Sequence, residues 1–220
     1  MIGVFGGTFN PVHWGHIRTA LEIKKALSMD ELLMVPAGIP PHRDAPDVDA
    51  QVRLAMLQAA VADYPELQVD ERELKREGPS YTVDTLQSLR EEKGDDISLC
   101  LCVGADAFIQ LDTWHDWKKL FRLAHIIVVH RPGWPVDALM QRINGDLKSI
   151  VGNSLVSQPA LLRQQSRGLV LLQKVTNLDI SSSAIRQRLA RGESVAQWVP
   201  PAVLEIIEQQ HLYQTTEKSE

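Results

Sequence analysis

Residues 2–27 read IGVFGGTFNPVHWGHIRTALEIKKAL, and the order of signals in this stretch decides the fold. The apolar run Ile2–Phe5, ended by Gly6-Gly7, predicts a short buried strand. From about Pro11 to Leu27 the pattern turns helical, with Ile17, Leu21, Ile23 and Leu27 apolar. The same alternation continues outward. ELLMVPAG (31–38), ISLCLCVGAD (97–106), HIIVVHRPG (125–133) and GLVLLQKV (168–175) read as buried strands, and LQVDERELKREG (67–78) as a more exposed one. Helices are predicted over 51–63, PSYTVDTLQSLREEKG (79–94), WHDWKKLFRLA (114–124), ISSSAIRQRLARGES (180–194) and PPAVLEIIEQQHLY (200–213). Ser80 or Thr82 is expected to cap the second of these and Gly94 to end it. Short apolar strands separated by helices imply an α/β fold: a doubly wound, Rossmann-like parallel sheet with helices on both faces. There is no internal repeat. Residues 136–168 have no clear place in the alternation and are expected to be a variable helical insertion. A single domain is expected over 1–214, with TTEKSE (215–220) a polar tail.

Composition narrows the function classes. A chain of 220 residues, 44% hydrophobic and 23% charged, is an ordinary globular sequence that can bury a large core. The formal net charge of −5 argues against a dedicated nucleic-acid binder but not against a local anion site. No apolar stretch approaches the roughly 18 residues of a membrane span, and MIGVFGG does not look like a secretory signal. Cys100 and Cys102, two apart on a strand, share a face and read as buried, inert thiols. A cytoplasmic location is expected.

In an open parallel sheet, ligands bind beyond the carboxyl ends of the strands, which is where Gly6 to His16 falls. Gly6 and Gly7 allow close backbone approach. Thr8 offers a hydroxyl and an N–H, and the following helix directs its positive end at the same place. His13 and His16, three apart, share a face, with Gly15 keeping the surface between them low. Two imidazoles beside a helix N-terminus can donate hydrogen bonds to phosphate oxygens. The pattern is neither the Rossmann G-x-G-x-x-G nor a P-loop with its Lys. Two alternatives stand: histidines that only cap the helix and pack on Trp14, and a zinc pair, for which no third ligand is evident nearby.

A second candidate lies far downstream. Ile180 to Ser183 place three hydroxyls and several N–H groups at another strand-to-helix junction. Arg186 on its first turns can reach a phosphate as a charged fork. The plain alternative is a capped surface helix.

Together these segments resemble the nucleotidylyltransferase superfamily. His13-Trp14-Gly15-His16 matches H-x-G-H, and ISSSAIR is similar to the family's I-S-S-T-x-I-R, with Ser183 where Thr is usual. The resemblance implies the HIGH-type fold, with ATP bound around Gly6, Gly7, Thr8, Phe9 and Gly15, and His13, His16 and Arg186 acting on the phosphates. GGTFNPVH, PPHR, ERELKREGPSYTVDTL, VGADAF, TWHDW, HRPG and ISSSAIR occur in the order seen in bacterial nicotinate mononucleotide adenylyltransferases. Asn10 departs from the commoner Asp.

By that resemblance the nicotinate carboxylate is received at Tyr81, Thr82, Val83 and the Trp114-His115 turn, with Trp114 stacking on the pyridine. Core packing is the alternative for Trp114 and for Trp117. His42 and Arg43 are expected near the reacting phosphates, Gly104 and Asp106 in the nucleotide pocket, and Arg131 and Pro132 near adenine. Solvated loops are the alternative for the first pair and a plain turn for the last. The implied reaction joins nicotinate mononucleotide to AMP from ATP and releases pyrophosphate. Mg²⁺ is carried with the ATP, and the partners are small molecules, neither nucleic acid nor membrane. The rival expectations are phosphopantetheine adenylyltransferase, which shares H-x-G-H, and a non-catalytic nucleotide-binding regulator.

Overall fold

The computed structural model describes residues 1–39, 46, 48–130, 136–176 and 178–214, with only the backbone of 136–138. Among the described residues seven parallel strands form one sheet: β1 (Ile2–Gly7), β2 (Glu31–Pro36), β3 (Leu67–Val69), β4 (Leu99–Gly104), β5 (His125–His130), β6 (Leu155–Val156) and β7 (Val170–Lys174). Their order is β3-β2-β1-β4-β5-β7-β6. After β1 the chain runs outward through β2 and β3. It then returns to the other side of β1 with β4. The β1/β4 boundary is therefore the switch point, where adjacent connections leave in opposite directions and open a crevice.

The helices are α1 (Trp14–Ala26), α2 (Ala50–Val61), α3 (Thr82–Lys93), α4 (Ala105–Ile109), α5 (Trp117–Leu123), α6 (Val136–Arg142), α7 (Gly145–Ser154), α8 (Ser182–Ala190) and α9 (Pro201–Gln209). The period-2 alternation of the strands sorts them into two layers. Leu32, Met34, Cys100, Cys102, Ile127 and Leu171 face one core with Ile17 and Ile23 of α1, Met56 and Leu57 of α2, Ile185 of α8 and Val203 of α9. Leu33, Val35, Leu99, Leu101, Ile126 and Val128 face the other with Leu86 of α3, Phe108 of α4, Leu120 of α5, Leu139 of α6 and Val151 of α7. Both thiols are buried and free, as the spacing predicts, and burial pushes Cys100 up to about 12.

Several boundaries differ from expectation, each for a tertiary reason. β1 does not stop at Phe5; Gly6 and Gly7 pair with Val35 and Pro36 and extend it. Of 67–78 only Leu67–Val69 is strand, where it pairs with β2. After β4 the chain enters α4 rather than a turn. The predicted 114–124 helix starts only at Trp117, because Asp116 is left-handed with φ +47°. Neither Ser80 nor Thr82 caps α3. Tyr81 is the N-cap residue, and the Ser80 hydroxyl instead accepts the Gly38 N–H at 2.9 Å. Residues 136–168 contribute α6 and α7 and also β6, which pairs with β7. The tail 215–220 lies outside the described residues.

Candidate active site

The β1–α1 connection turns at the switch point, and its geometry follows from its residues. Phe9 is buried with φ +48°, its ring edge-on to His16 at 5.0 Å. His13 is the N-cap residue of α1, one step before the helix on which it was expected. The His13 and His16 rings stack with centroids 3.8 Å apart and 27° between planes. Two imidazolium charges cannot share that spacing cheaply. Burial first, and then the neighbouring His13, hold His16 well below the ordinary histidine range. The His13 backbone N–H donates to Nδ1 of His16 at 3.3 Å. That bond fixes the neutral tautomer and leaves the proton on Nε2. Among the described residues no protein acceptor takes that Nε2–H.

Gly15 has a definite steric reason. A Cβ there would stand 2.9 Å from Cε1 and Nδ1 of His13, so any side chain would displace the ring. The Gly15 N–H, on the first turn of α1, also has no acceptor among the described residues.

The second segment docks onto the first. The Ser182 hydroxyl donates to Pro11 O at 3.0 Å, and Arg186 Nη1 donates to Asn10 O at 2.8 Å. The Ile180 carbonyl lies 3.8 Å from the Cβ position of Gly15. Ser181 caps α8, accepting the Ala184 N–H at 3.2 Å, while Ser183 is exposed. Among the described residues, Nε and Nη2 of Arg186 and the N–H groups of Ser182 and Ser183 have no protein partner. The ISSSAIR helix is therefore capped as expected, and it joins the H-x-G-H loop rather than standing apart on the surface.

A third group assembles around α3. Tyr81 and His115, 34 positions apart in sequence, stack with ring centroids 4.3 Å apart. The first two helical N–H groups, Thr82 and Val83, have no acceptor among the described residues, because Asp84 and Thr85 take the Tyr81 carbonyl. Trp114 is half-buried against the α3–α5 core, as is Trp117, whose ring meets Phe121 edge-on at 6.2 Å. Gly104 ends β4 exposed at the switch point, with Asp106 exposed on the next turn. Of the remaining predicted residues, His42, Arg43, Arg131 and Pro132 lie outside the described residues.

Residues that sequence reasoning missed complete the edge. Arg53 is buried, 1% exposed, and its guanidinium donates to Thr8 O at 2.8 Å, Gly38 O at 3.0 Å and Val48 O at 3.3 Å. It ties the loops after β1 and β2 together and lowers its own pKa through desolvation. Nothing in its helical period marked it. Glu73 is also buried. It accepts the Thr85 hydroxyl at 2.7 Å behind the first turn of α3, and burial pushes its carboxyl up. Among the described residues no group of three or more His, Cys, Asp or Glu is assembled to hold a metal ion.

In sequence and in fold the chain is similar to known proteins. The cytidylyltransferase-like family model matches residues 4–188. The chain is 47% identical over 214 residues to the "Probable nicotinate-nucleotide adenylyltransferase" of Methylococcus capsulatus, covering 97% of this chain and 99% of that one. Its counterpart of the same name from Pseudomonas fluorescens is 46% identical, with 96% of each chain covered. In fold, the chain is similar to the Plasmodium falciparum nicotinic acid mononucleotide adenylyltransferase solved with NaAD, at TM-score 0.69, 15% identity and 96% coverage of both chains. From the joined H-x-G-H and ISSSAIR segments at the switch point, and from these full-length likenesses, the chain belongs to the nicotinate-nucleotide adenylyltransferases of the cytidylyltransferase-like family.

Proposed function

We propose that this enzyme transfers AMP from ATP to nicotinate mononucleotide, giving nicotinate adenine dinucleotide and pyrophosphate in NAD biosynthesis. The observation that carries the assignment of residues is the convergence of spare donors on one loop. Nε2–H of His16, the Gly15 N–H, the amides opening α8 and the two remaining nitrogens of Arg186 lie on two segments that Ser182 and Arg186 join at Pro11 and Asn10. Among the described residues these are donors without acceptors, suited to phosphate oxygens. ATP lies along Gly6, Gly7, Thr8, Phe9, Gly15 and the Ile180–Ser183 segment, with Gly104 and Asp106 beside it.

A phosphate oxygen of the mononucleotide attacks the α-phosphorus in line. The bond from that phosphorus to the bridging oxygen breaks, and the electron pair leaves on pyrophosphate. No covalent bond to the enzyme is needed. Catalysis is positioning and charge stabilisation by His13, His16 and Arg186. Mg²⁺ forms part of the proposal as a passenger on the triphosphate, where it neutralises charge on the phosphate oxygens. The converging donors are N–H and neutral imidazole, which suit those oxygens better than a hard cation.

The nicotinate carboxylate is received by the Thr82 and Val83 N–H groups, beneath the Tyr81–His115 stack and near Trp114. Charge-assisted bonds worth about 1.5–3 kcal/mol each would give roughly 10- to 100-fold preference for acid over amide per bond. His42 and Arg43, and Arg131 and Pro132, keep their proposed places by resemblance. Cytoplasmic residence belongs to the same proposal, and the free thiols Cys100 and Cys102 accord with it.

Pyrophosphate release with Mg-ATP and, in parallel, nicotinate mononucleotide, nicotinamide mononucleotide or phosphopantetheine tests the assignment. Release with the nicotinate substrate, and little with the others, is expected. Release with phosphopantetheine alone would keep the phosphate site and discard the carboxylate site.

A further inference from the structure

The turn after α9 reaches back to the β1–α1 loop. In it the Gln210 and Leu212 N–H groups donate to Ile206 O and Ile207 O at 3.1 and 3.0 Å. His211 and Tyr213 have φ of +50° and +63°. Two left-handed non-glycine residues within three positions form a strained backbone, kept only where its surroundings over-determine it. What the turn delivers is the Tyr213 hydroxyl, which donates to Asn10 Oδ1 at 2.6 Å. Asn10 is 6% exposed, and its backbone carbonyl is already taken by Arg186 at 2.8 Å. One residue of the loop is thus pinned through its side chain from the turn after α9 and through its main chain from α8. Its neighbour Phe9 is itself left-handed, so the loop has a conformation it would not hold alone.

We propose that Tyr213 is a positioning residue for adenylyl transfer, acting through Asn10. It holds the Phe9–Pro11 segment, and with it Thr8 and His13, in the arrangement that receives the triphosphate. Because Arg186 shares Asn10, a shift of that residue also re-aims the two donors Arg186 has left. This inference rests on the assignment of the β1–α1 loop to the ATP phosphates. It also accounts for a polar side chain at position 10 irrespective of charge: Asn and Asp both present an oxygen to the Tyr213 hydroxyl.

The test uses the full chain with Tyr213→Phe, Asn10→Ala, the double variant and Asn10→Asp, reading kcat, KM for ATP and thermal midpoint. Tyr213→Phe keeps the packed ring and loses one hydrogen bond, so kcat falls about tenfold while KM for ATP stays within about twofold. The thermal midpoint moves little. Asn10→Ala falls comparably, the double variant is no worse than the poorer single, and Asn10→Asp recovers most of the rate lost in Asn10→Ala. A wild-type kcat in Tyr213→Phe, additive losses, or losses that only track a lowered thermal midpoint would overturn the role. His16→Ala, run beside them, separates the two assignments. If it too kept the wild-type rate, the phosphate loop itself would be misassigned. If it were inactive while Tyr213→Phe was normal, only the Tyr213 role would fall.

Discussion

The two ends of the sheet carry the same two devices put to different ends. At the carboxyl end, Arg53 donates to the carbonyls of Thr8, Gly38 and Val48. At the amino end, Arg90 donates to those of Leu123, Gly94, Asp95, Ile97 and Ser166. Both are buried, and neither has a carboxylate partner within salt-bridge distance among the described residues. The histidines repeat the parallel. His125, at the start of β5, accepts the Leu169 N–H on Nδ1 at 3.1 Å and spends its Nε2–H on Gln165 O at 3.0 Å. His16 has the same tautomer fixed by a backbone N–H, yet its Nε2–H meets no protein acceptor among the described residues. Burial and a perturbed pKa therefore do not mark function by themselves. What distinguishes the site is donors left over, at the end of the sheet where the crevice opens.

The largest expected effect separates the histidines. His16→Ala should lower kcat about 10²- to 10³-fold, the size seen for losing one preorganised donor. His125→Gln should leave kcat near wild type and lower the thermal midpoint. Pyrophosphate release and a melting curve on each variant check this, and a catalytic defect in His125→Gln would break the comparison.

The arginines come next. Arg90→Met strands buried carbonyls and should cost about 3 kcal/mol or more of stability with kcat/KM within about twofold. Arg53→Met should cost about 2–3 kcal/mol and at least about tenfold in kcat/KM, because the two loops it joins frame the phosphate site. Denaturant unfolding beside steady-state kinetics measures both. Equal kinetic losses would mean that Arg53 is only structural.

The pH dependence of stability follows from the lowered values of His16 and His125, for which desolvation is the leading cause. As pH falls below about 6.5, the unfolded chain takes up protons that the native histidines refuse. Stability should be greatest above that pH and decline by about 1.4 kcal/mol per pH unit per histidine until each native value is reached. His125→Gln removes one share of this slope. Saturating Mg-ATP should shrink the His16 share alone, since a phosphate beside the ring favours its charged form.

The smallest effect sets two glycines of the carboxyl end against each other. Gly15→Ala pushes on the His13 ring and should reduce kcat with the protein still folded. Gly104→Ala meets no heavy atom within 4 Å, so stability should change by less than about 0.5 kcal/mol. A rise in KM for ATP in that variant would place the nucleotide against β4, and an unchanged KM would remove Gly104 from the site.

Local signals carried most of the fold. Apolar runs closed by glycine or proline located the four long inner strands, the apolar run after Gly168 located β7, and Ser181 capped α8 as its position before a helical pattern predicts. β6 escaped because two residues carry no periodicity of their own; pairing with β7 defines them. Ser80 does not cap α3 because its hydroxyl has two eligible partners, one local and one across the fold, and Gly38 takes it.

The sequence by itself determined the layered architecture and the two phosphate motifs, because strand and helix periods and turn residues act within a few positions of each other. Only the tertiary structure decided that Arg53 reaches Thr8, Arg186 reaches Asn10 and Tyr213 reaches the same Asn10, across 45, 176 and 203 positions. A buried carbonyl takes whichever donor the packed core brings within about 3 Å, and no local pattern records which that will be.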